Sequence, residues 1–267
     1  MLGAIYGDIT GSVYEFRNLK YKEAPHFIYG CRFTDDTVMT AAVADALLQT
    51  ENAADHIELF KKNLISSMHK IGRNHFRAGY GARFFDWLYY QCTEPYNSFG
   101  NGSAMRVSPV AWYAKTPDEV IRLAEASAAV THNHPEGIKG AVATALAIYL
   151  ARNGAYKEDI KKYIQKYYYN IDFTLDEIRP HYRFDVTCQG SVPQALEAFF
   201  ESESFEDAIR NAISIGGDSD TIAAITGSVA EAYYGMTREQ KEKTVSYLTN
   251  DLQDIVTKFE KTFPEPQ

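Results

Sequence analysis

The chain has 267 residues, with 27 Lys+Arg against 35 Asp+Glu and a formal net charge of −8. With 45% hydrophobic and 23% charged residues it has the composition of a soluble globular protein, and its length suffices for one large core or two modest ones. The acidic balance argues against a general nucleic-acid binder held by phosphate contacts and against docking on an anionic membrane.

The cysteines, Cys31, Cys92 and Cys188, are odd in number, far apart and in no CxxC spacing. That spacing argues against a disulfide framework or a zinc site, and a reducing cytoplasm is the expected setting. The start, Met1 to Asp8, lacks a basic segment and reaches an acid too soon for a secretory signal. The longest apolar stretch, around 141–151, is too short and too rich in alanine to span a bilayer.

Taken in chain order, helical periodicity dominates. A first helical stretch covers 2–15. Met39, Ala42, Val43, Ala46 and Leu47 fall on one helix face, and Ile57, Phe60, Leu64, Ile65 and Met68 on another. Further helices are predicted over 117–129, 136–152 and 157–168. Val192, Ala195, Leu196, Phe199 and Phe200 share a face, and helices follow over 205–214, 220–234 and 238–260. Strand-like alternation is confined to 27–33 and 183–187. The breaks are short and carry turn chemistry, as at Gly79-Tyr80-Gly81, Gly100-Asn101-Gly102, Asn153-Gly154 and Gly216-Gly217. Tyr167-Tyr168-Tyr169 is expected on a half-buried helix face, and Pro264 to Gln267 as a frayed tail. The pattern predicts a single compact all-α domain over residues 1–263 with a short tail, 264–267.

Two acidic clusters open helices. Thr34-Asp35-Asp36-Thr37 precedes the run from Val38, and Gly217-Asp218-Ser219-Asp220-Thr221 precedes the run from Ile222. Threonine and aspartate are good N-caps, and acids in a first turn offset the helix dipole. Each cluster holds more acid than one cap uses, however, and like charges this close repel. A hard cation such as Mg²⁺, Mn²⁺ or Ca²⁺ resolves that conflict, because it prefers oxygen ligands. If the two helix starts meet, four carboxylates suffice for two ions about 4 Å apart.

The remaining motifs are weaker taken singly. Ser98-Phe99-Gly100-Asn101-Gly102-Ser103 is a glycine loop entering an apolar run, and its backbone N–H groups could form an anion nest. Arg106 reads either as a phosphate contact or as half of an internal ion pair. Thr131-His132-Asn133-His134 has a poor metal-ligand spacing, and His134, before Pro135, is expected to lie outside the following helix. GxxxxGK[ST], GxGxxG, HExxH and GxSxG are all absent. Asp35 and Asp36 are adjacent, which fits metal ligation better than the opposed carboxylates of a metal-free glycosidase.

In this order the motifs resemble the ADP-ribosylglycohydrolase family. They run from Gly3-x-x-x-Gly7-Asp8-x-x-Gly11 with Glu15, through Thr34-Asp35-Asp36-Thr37, Gly100-Asn101-Gly102-Ser103-Ala104-Met105-Arg106 and Thr131-His132, to Gly217-Asp218-Ser219-Asp220-Thr221. The resemblance spans residues 1–234. It implies a compact all-α fold with two Mg²⁺ or Mn²⁺ ions, held by Thr34, Asp35, Asp36, Asp218, Asp220 and Thr221. It implies hydrolysis of the N- or O-glycosidic bond at the anomeric carbon of ADP-ribose, acting on an ADP-ribosylated protein or small acceptor. Glu15, Asp35 or Asp36 would relay the proton. The loop Ser98, Phe99, Gly100, Asn101, Gly102, Ser103 would hold the diphosphate together with His132, with Phe99 near the distal ribose or base. Asp8 is expected to be structural. A guanidinium acceptor would call for an acid near the scissile bond, with Asp86 one candidate. The chain is expected to act as a monomer. Two alternatives stand beside this reading: a non-catalytic ADP-ribose-binding protein of the same fold, and a metal-dependent nucleotide phosphohydrolase.

Overall fold

The computed structural model describes residues 1–264, so the expected tail lies, beyond Pro264, outside the described residues. These contain fifteen helices and no strand. In chain order they are α1 (Leu2–Gly11), α2 (Asp35–Gln49), α3 (Ile57–Asn74), α4 (Ala82–Tyr89), α5 (Gly102–Met105), α6 (Ser108–Tyr113), α7 (Pro117–Ala129) and α8 (Pro135–Arg152). After them come α9 (Lys157–Tyr167), α10 (Leu175–Ile178), α11 (Cys188–Phe200), α12 (Phe205–Ser214), α13 (Ser219–Tyr234), α14 (Arg238–Val245) and α15 (Asn250–Thr262). They pack as one all-α domain.

The centre is built from helices with no polar face. α13 is buried continuously from Ser219 to Glu231, and every residue of α1 is buried. A helix that is apolar or small on every side has no solvent face to offer, so it packs inside. α1 lies against α13 at backbone contact. A Cβ at Gly7 would stand 2.0 Å from the Ala223 carbonyl oxygen, one at Gly3 2.2 Å from that of Gly227, and one at Gly11 2.5 Å from that of Ser219. The Gly-x-x-x-Gly spacing is therefore the contact itself. It brings the end of α1 beside the start of α13.

α1 carries no cap of its own. The Leu2 and Gly3 amides donate to the Glu231 carboxylate of α13 at 3.1 and 2.8 Å, and the Met1 amino group pairs with it at 2.9 Å. Glu231 thus satisfies helix-start donors that have no intrahelical partner.

Four sequence expectations differ from the structure. The first helix ends at Gly11, not near 15: residues 12–14 turn, with the Tyr14 amide on the Gly11 carbonyl at 2.8 Å, and the Asn18 side chain then takes the Tyr14 and Glu15 carbonyls. The 238–260 stretch is two helices, α14 and α15, and Gln253 ties the intervening turn through the Val245 and Leu248 carbonyls. The tyrosine tract leaves its helix: Tyr167 ends α9 exposed, Tyr168 departs from helical geometry and Tyr169 is buried. Neither 27–33 nor 183–187 forms a strand. The latter runs as a loop, and Thr187 makes one isolated antiparallel bridge with Gly100.

Candidate active site

The first acidic cluster is organised from α1. Thr34 caps α2, accepting from the Asp36 amide at 3.3 Å. Thr34 also gives Asp8 its amide and hydroxyl, at 2.9 and 2.7 Å, and Thr37 gives Asp8 the same two groups, at 3.1 and 2.5 Å. With four donors on its carboxylate, Asp8 fixes the Thr34–Thr37 turn.

The second cluster follows Gly216 and Gly217, whose φ of +68° and +79° make the left-handed turn into α13. Asp218 occupies the N-cap position, yet its side chain caps nothing. Its carboxylate instead accepts from Asn101 Nδ2 at 2.7 Å. Capping accounts for Thr34 and leaves Asp218 unexplained.

The clusters meet. Carboxylate oxygens of Asp8, Asp36 and Asp220 lie within 4.8 Å of one another, as do those of Glu15, Asp218 and Asp220, so Asp220 belongs to both groups. Thr221 donates its hydroxyl to Asp36 at 3.2 Å. Burial, then neighbouring aspartates, push the Asp35 and Asp36 carboxyls well above the usual range, and Asp220 with them. Asp218 rises to about 6, chiefly by burial. Burial, followed by the Asp220 charge, lifts Glu15 to about 7. Asp36 Oδ1 is buried without any hydrogen-bond partner. Crowded, desolvated oxygens with one left unanswered fit divalent cations.

Above this floor opens a cavity of about 520 Å³. Of the sequence-predicted residues, Glu15, Thr34, Asp35, Asp36, Ser98, Gly100, Asn101, Gly102, His132, Asp218, Asp220 and Thr221 line it. Phe99 and Ser103 do not. Phe99 is exposed beside His134, their rings 5.3 Å apart. Ser103 faces inward and donates to the Gly137 carbonyl at 2.7 Å. Asp86 is exposed on α4, away from the cavity.

The glycine loop is less open than a full anion nest. The Gly100 amide donates to Ser98 Oγ at 3.1 Å and the Asn101 amide to the Val186 carbonyl at 2.7 Å. That leaves the Gly102 and Ser103 amides, in the first turn of α5, where no intrahelical acceptor exists. His132 Nε2 stands 3.1 Å from where a Gly102 Cβ would be. His134 caps α8, accepting from the Glu136 amide at 3.1 Å.

Arg106 forms no ion pair among the described residues. It is 1% exposed, lines the cavity, and donates to the Ser127 carbonyl and to Thr131 Oγ1, both at 2.9 Å. Thr131 Oγ1 in turn lies 2.7 Å from His132 Nδ1. Arg106 and His132 Nδ1 are the hydrogen-bond partners of Thr131 Oγ1, and of the two only Nδ1 can accept its proton, which leaves Nε2–H facing the cavity. Burial, then the nearby Arg106 and Arg83 charges, hold His132 neutral, well below its usual range.

Sequence reading missed several participants. Asn18 joins the Glu15 turn to the Gly217 turn, accepting from the Gly217 amide at 2.8 Å and donating to the Gly217 carbonyl at 3.1 Å. Phe16, Arg32, Phe184 and Val186 line the cavity mouth. Arg32, Phe184 and Val186 fell in the segments read as strand-like, which gave no hint of a cavity, and Phe16 and Asn18 lie where no pattern marked them.

An all-helical domain with a carboxylate-floored cavity defines the class, and comparison with known proteins supplies the family. The model of the ADP-ribosylglycohydrolase family matches residues 1–261, and the chain belongs to that family. Its relatives include ADP-ribosylhydrolase ARH3 of Mus musculus, 27% identical over 315 residues, covering 88% of this chain and 83% of the relative. ADP-ribosylarginine hydrolase Tri1 of Pseudomonas putida is 26% identical over 265 residues, covering 88% and 70%. A solved structure described as an ADP-ribosylglycohydrolase-related protein complex shares the fold, with TM-score 0.65, 23% identity and coverage of 97% and 96%. The chain is a hydrolase of this family, whose members remove ADP-ribose from acceptors.

Proposed function

We propose that the protein is a divalent-metal-dependent glycohydrolase that splits the bond between the anomeric carbon of ADP-ribose and an acceptor, releasing ADP-ribose. The observation that carries this is the double carboxylate group with Asp220 in common and a buried, unanswered Asp36 Oδ1. Thr34, Asp35, Asp36, Asp218, Asp220 and Thr221 would hold two Mg²⁺ or Mn²⁺ ions, as hard cations take oxygen ligands. Such ions, when bound, polarise water and orient the sugar hydroxyls.

The protein's own groups do the rest. The Gly102 amide and His132 Nε2–H bind the diphosphate as neutral donors. Glu15, half-exposed at the mouth, takes a proton from the attacking water. The water oxygen bonds to the anomeric carbon. The bond to the acceptor breaks, its electron pair leaves on the acceptor atom, and that atom takes up a proton. Residues 1–263 act in this reading as one catalytic unit, monomeric and cytoplasmic.

The test is ADP-ribose release from a panel of defined ADP-ribosylated acceptors with Mg²⁺ and with Mn²⁺. Asp35→Asn and Asp220→Asn are expected to lower release by about 100-fold or more while helicity persists, since ion-supplied charge stabilisation is worth several kcal/mol. Full activity in either variant contradicts the reading. Release of phosphate or a mononucleotide with the ribose linkage intact contradicts it too.

A further inference from the structure

Between Glu58 and Asp86 the chain holds Lys61, Lys62, Lys70, Arg73, Arg77 and Arg83 and no acid, although its net charge is −8. Lys61 pairs with Glu58 at 2.9 Å, whereas Lys70, Arg73 and Arg77 are exposed and form no ion pair among the described residues. Lys70 and Arg73 are neighbours across one turn at the end of α3, and Arg77 follows just beyond it. His69, one turn before Arg73, stacks on Trp87 of α4 at 4.3 Å, so the basic end of α3 lies beside α4.

Aromatic rings stand beside these cations. Phe85 and Tyr89 of α4 are stacked, with centroids 6.2 Å apart and planes 13° from parallel. Phe76 lies against them at 5.5 and 6.4 Å, and Tyr90 meets Tyr89 edge-on at 5.1 Å. Phe85, Tyr89 and Tyr90 are 37%, 56% and 70% exposed. The outward face of a surface helix is ordinarily polar, and a contiguous exposed apolar patch marks an interaction surface. Neither these rings nor Lys70, Arg73 and Arg77 line the cavity, yet the segments that carry them do. Ala78 and Gly79 follow Arg77 into the cavity wall, and Gly81 to Phe84 lead out of it to Phe85.

An occupant of this face must be anionic to answer the unpaired cations and partly apolar to cover the rings. Single-stranded nucleic acid meets the first condition but needs free ring faces for its bases. Here Phe85 and Tyr89 cover each other's faces and Phe76 packs on both, which leaves edges and tyrosine hydroxyls. Those suit apolar side chains and carboxylates. We propose that this aromatic, cationic face of α3 and α4 docks an acidic segment, with apolar residues between its carboxylates, of the protein that carries ADP-ribose. The inference rests on the proposed reading, because the face adjoins the cavity which that reading makes catalytic. It concerns the partner's chain away from the linkage, so it acts on KM and not on the chemical step.

The first measurement is the fluorescence anisotropy of labelled probes: a glutamate-rich peptide interspersed with leucines, its lysine counterpart, and oligothymidylate. The glutamate peptide is expected to bind most tightly. Arg73→Glu combined with Arg77→Glu should weaken it about tenfold, since surface ion pairs are lost and repulsion is added. Tyr89→Ala should weaken it about threefold. All three positions are exposed and outside the cavity, and circular dichroism checks that the variants fold. The second measurement joins the glutamate segment to an ADP-ribosylated peptide of whichever linkage the protein cleaves. The segment should lower KM about fivefold with kcat unchanged. The double variant should lose that gain while its turnover of the O-methyl glycoside of ADP-ribose stays normal. No binding of the glutamate peptide, equal binding of the lysine peptide, tighter binding of oligothymidylate, full affinity in the double variant, or a segment without effect on KM overturns the inference. Absence of ADP-ribose release from every substrate contradicts the hydrolase reading instead, and the anisotropy still decides the docking face.

Discussion

The anion end of the cavity depends on how one hydroxyl proton is placed. Arg106 is buried without a carboxylate, so its guanidinium is satisfied by the Ser127 carbonyl and Thr131 Oγ1, and burial lowers it to about 10. Of the two partners of Thr131 Oγ1, Arg106 and His132 Nδ1, only Nδ1 can accept the hydroxyl proton, which gives His132 the Nε2–H tautomer. Nitrogen-15 NMR at pH 7 should show His132 protonated at Nε2. Thr131→Val should mix the tautomers and weaken ADP-ribose binding roughly fivefold, the equivalent of one hydrogen bond of about 1 kcal/mol. A proton found on Nδ1 in the unmodified protein contradicts this chain of bonds.

Two helix starts make the site, and the α1–α13 contact brings them together. Gly7→Ala would drive a methyl into the Ala223 carbonyl, 2.0 Å away, so the two helices must separate. Overpacking costs about 1–3 kcal/mol. The variant should therefore unfold at a lower temperature and lose ADP-ribose release out of proportion, because Asp8 and Asp220 ride on the displaced helices. Normal melting with normal turnover contradicts that role. Much of this was legible from residues alone. The Thr34–Thr37 and Asp218–Thr221 clusters stood ahead of clear helical periodicity, whereas Gly3-x-x-x-Gly7 was read as a family motif and its role as a helix contact came from the structure. The meeting of positions 36 and 221 was not legible, since a 3.6-residue period describes one helix and says nothing about its partner. Nor was the direction of Ser103, because α5 is four residues long and too short to show a face, or that of Phe99, which lies in the loop before it. The end of α1 was misread because residues 12–14 close into a turn on the Gly11 carbonyl, which hydrophobic spacing does not reveal.

For the whole molecule, the charge of −8 is distributed unevenly. Asp8, Glu15, Asp35, Asp36, Asp218 and Asp220 are gathered at one cavity, where cations would offset them and let an anionic diphosphate approach. One acid-sensitive group lies away from the cavity. His26, bonded to the Tyr6 hydroxyl at 2.8 Å, is lowered to about 4, first by burial and then by the Arg210 charge. The unfolded chain therefore takes this proton first, and the stability His26 contributes is complete above pH 6.5 and lost as pH falls toward 4. The site carboxyls, raised by burial, act in the opposite direction, so the His26 contribution is read as a difference: the stability lost between pH 6.5 and pH 4 should be about 2 kcal/mol greater in the unmodified protein than in His26→Gln by urea unfolding. An identical slope in His26→Gln contradicts the assignment. The most direct test of the central claim is the number of Mn²⁺ ions bound by chelator-treated protein, measured by titration calorimetry with electron paramagnetic resonance. Two ions per chain are expected, with both weakened in Asp220→Asn because that carboxylate belongs to both groups. No bound Mn²⁺, or two ions held equally well by Asp220→Asn, would contradict the account.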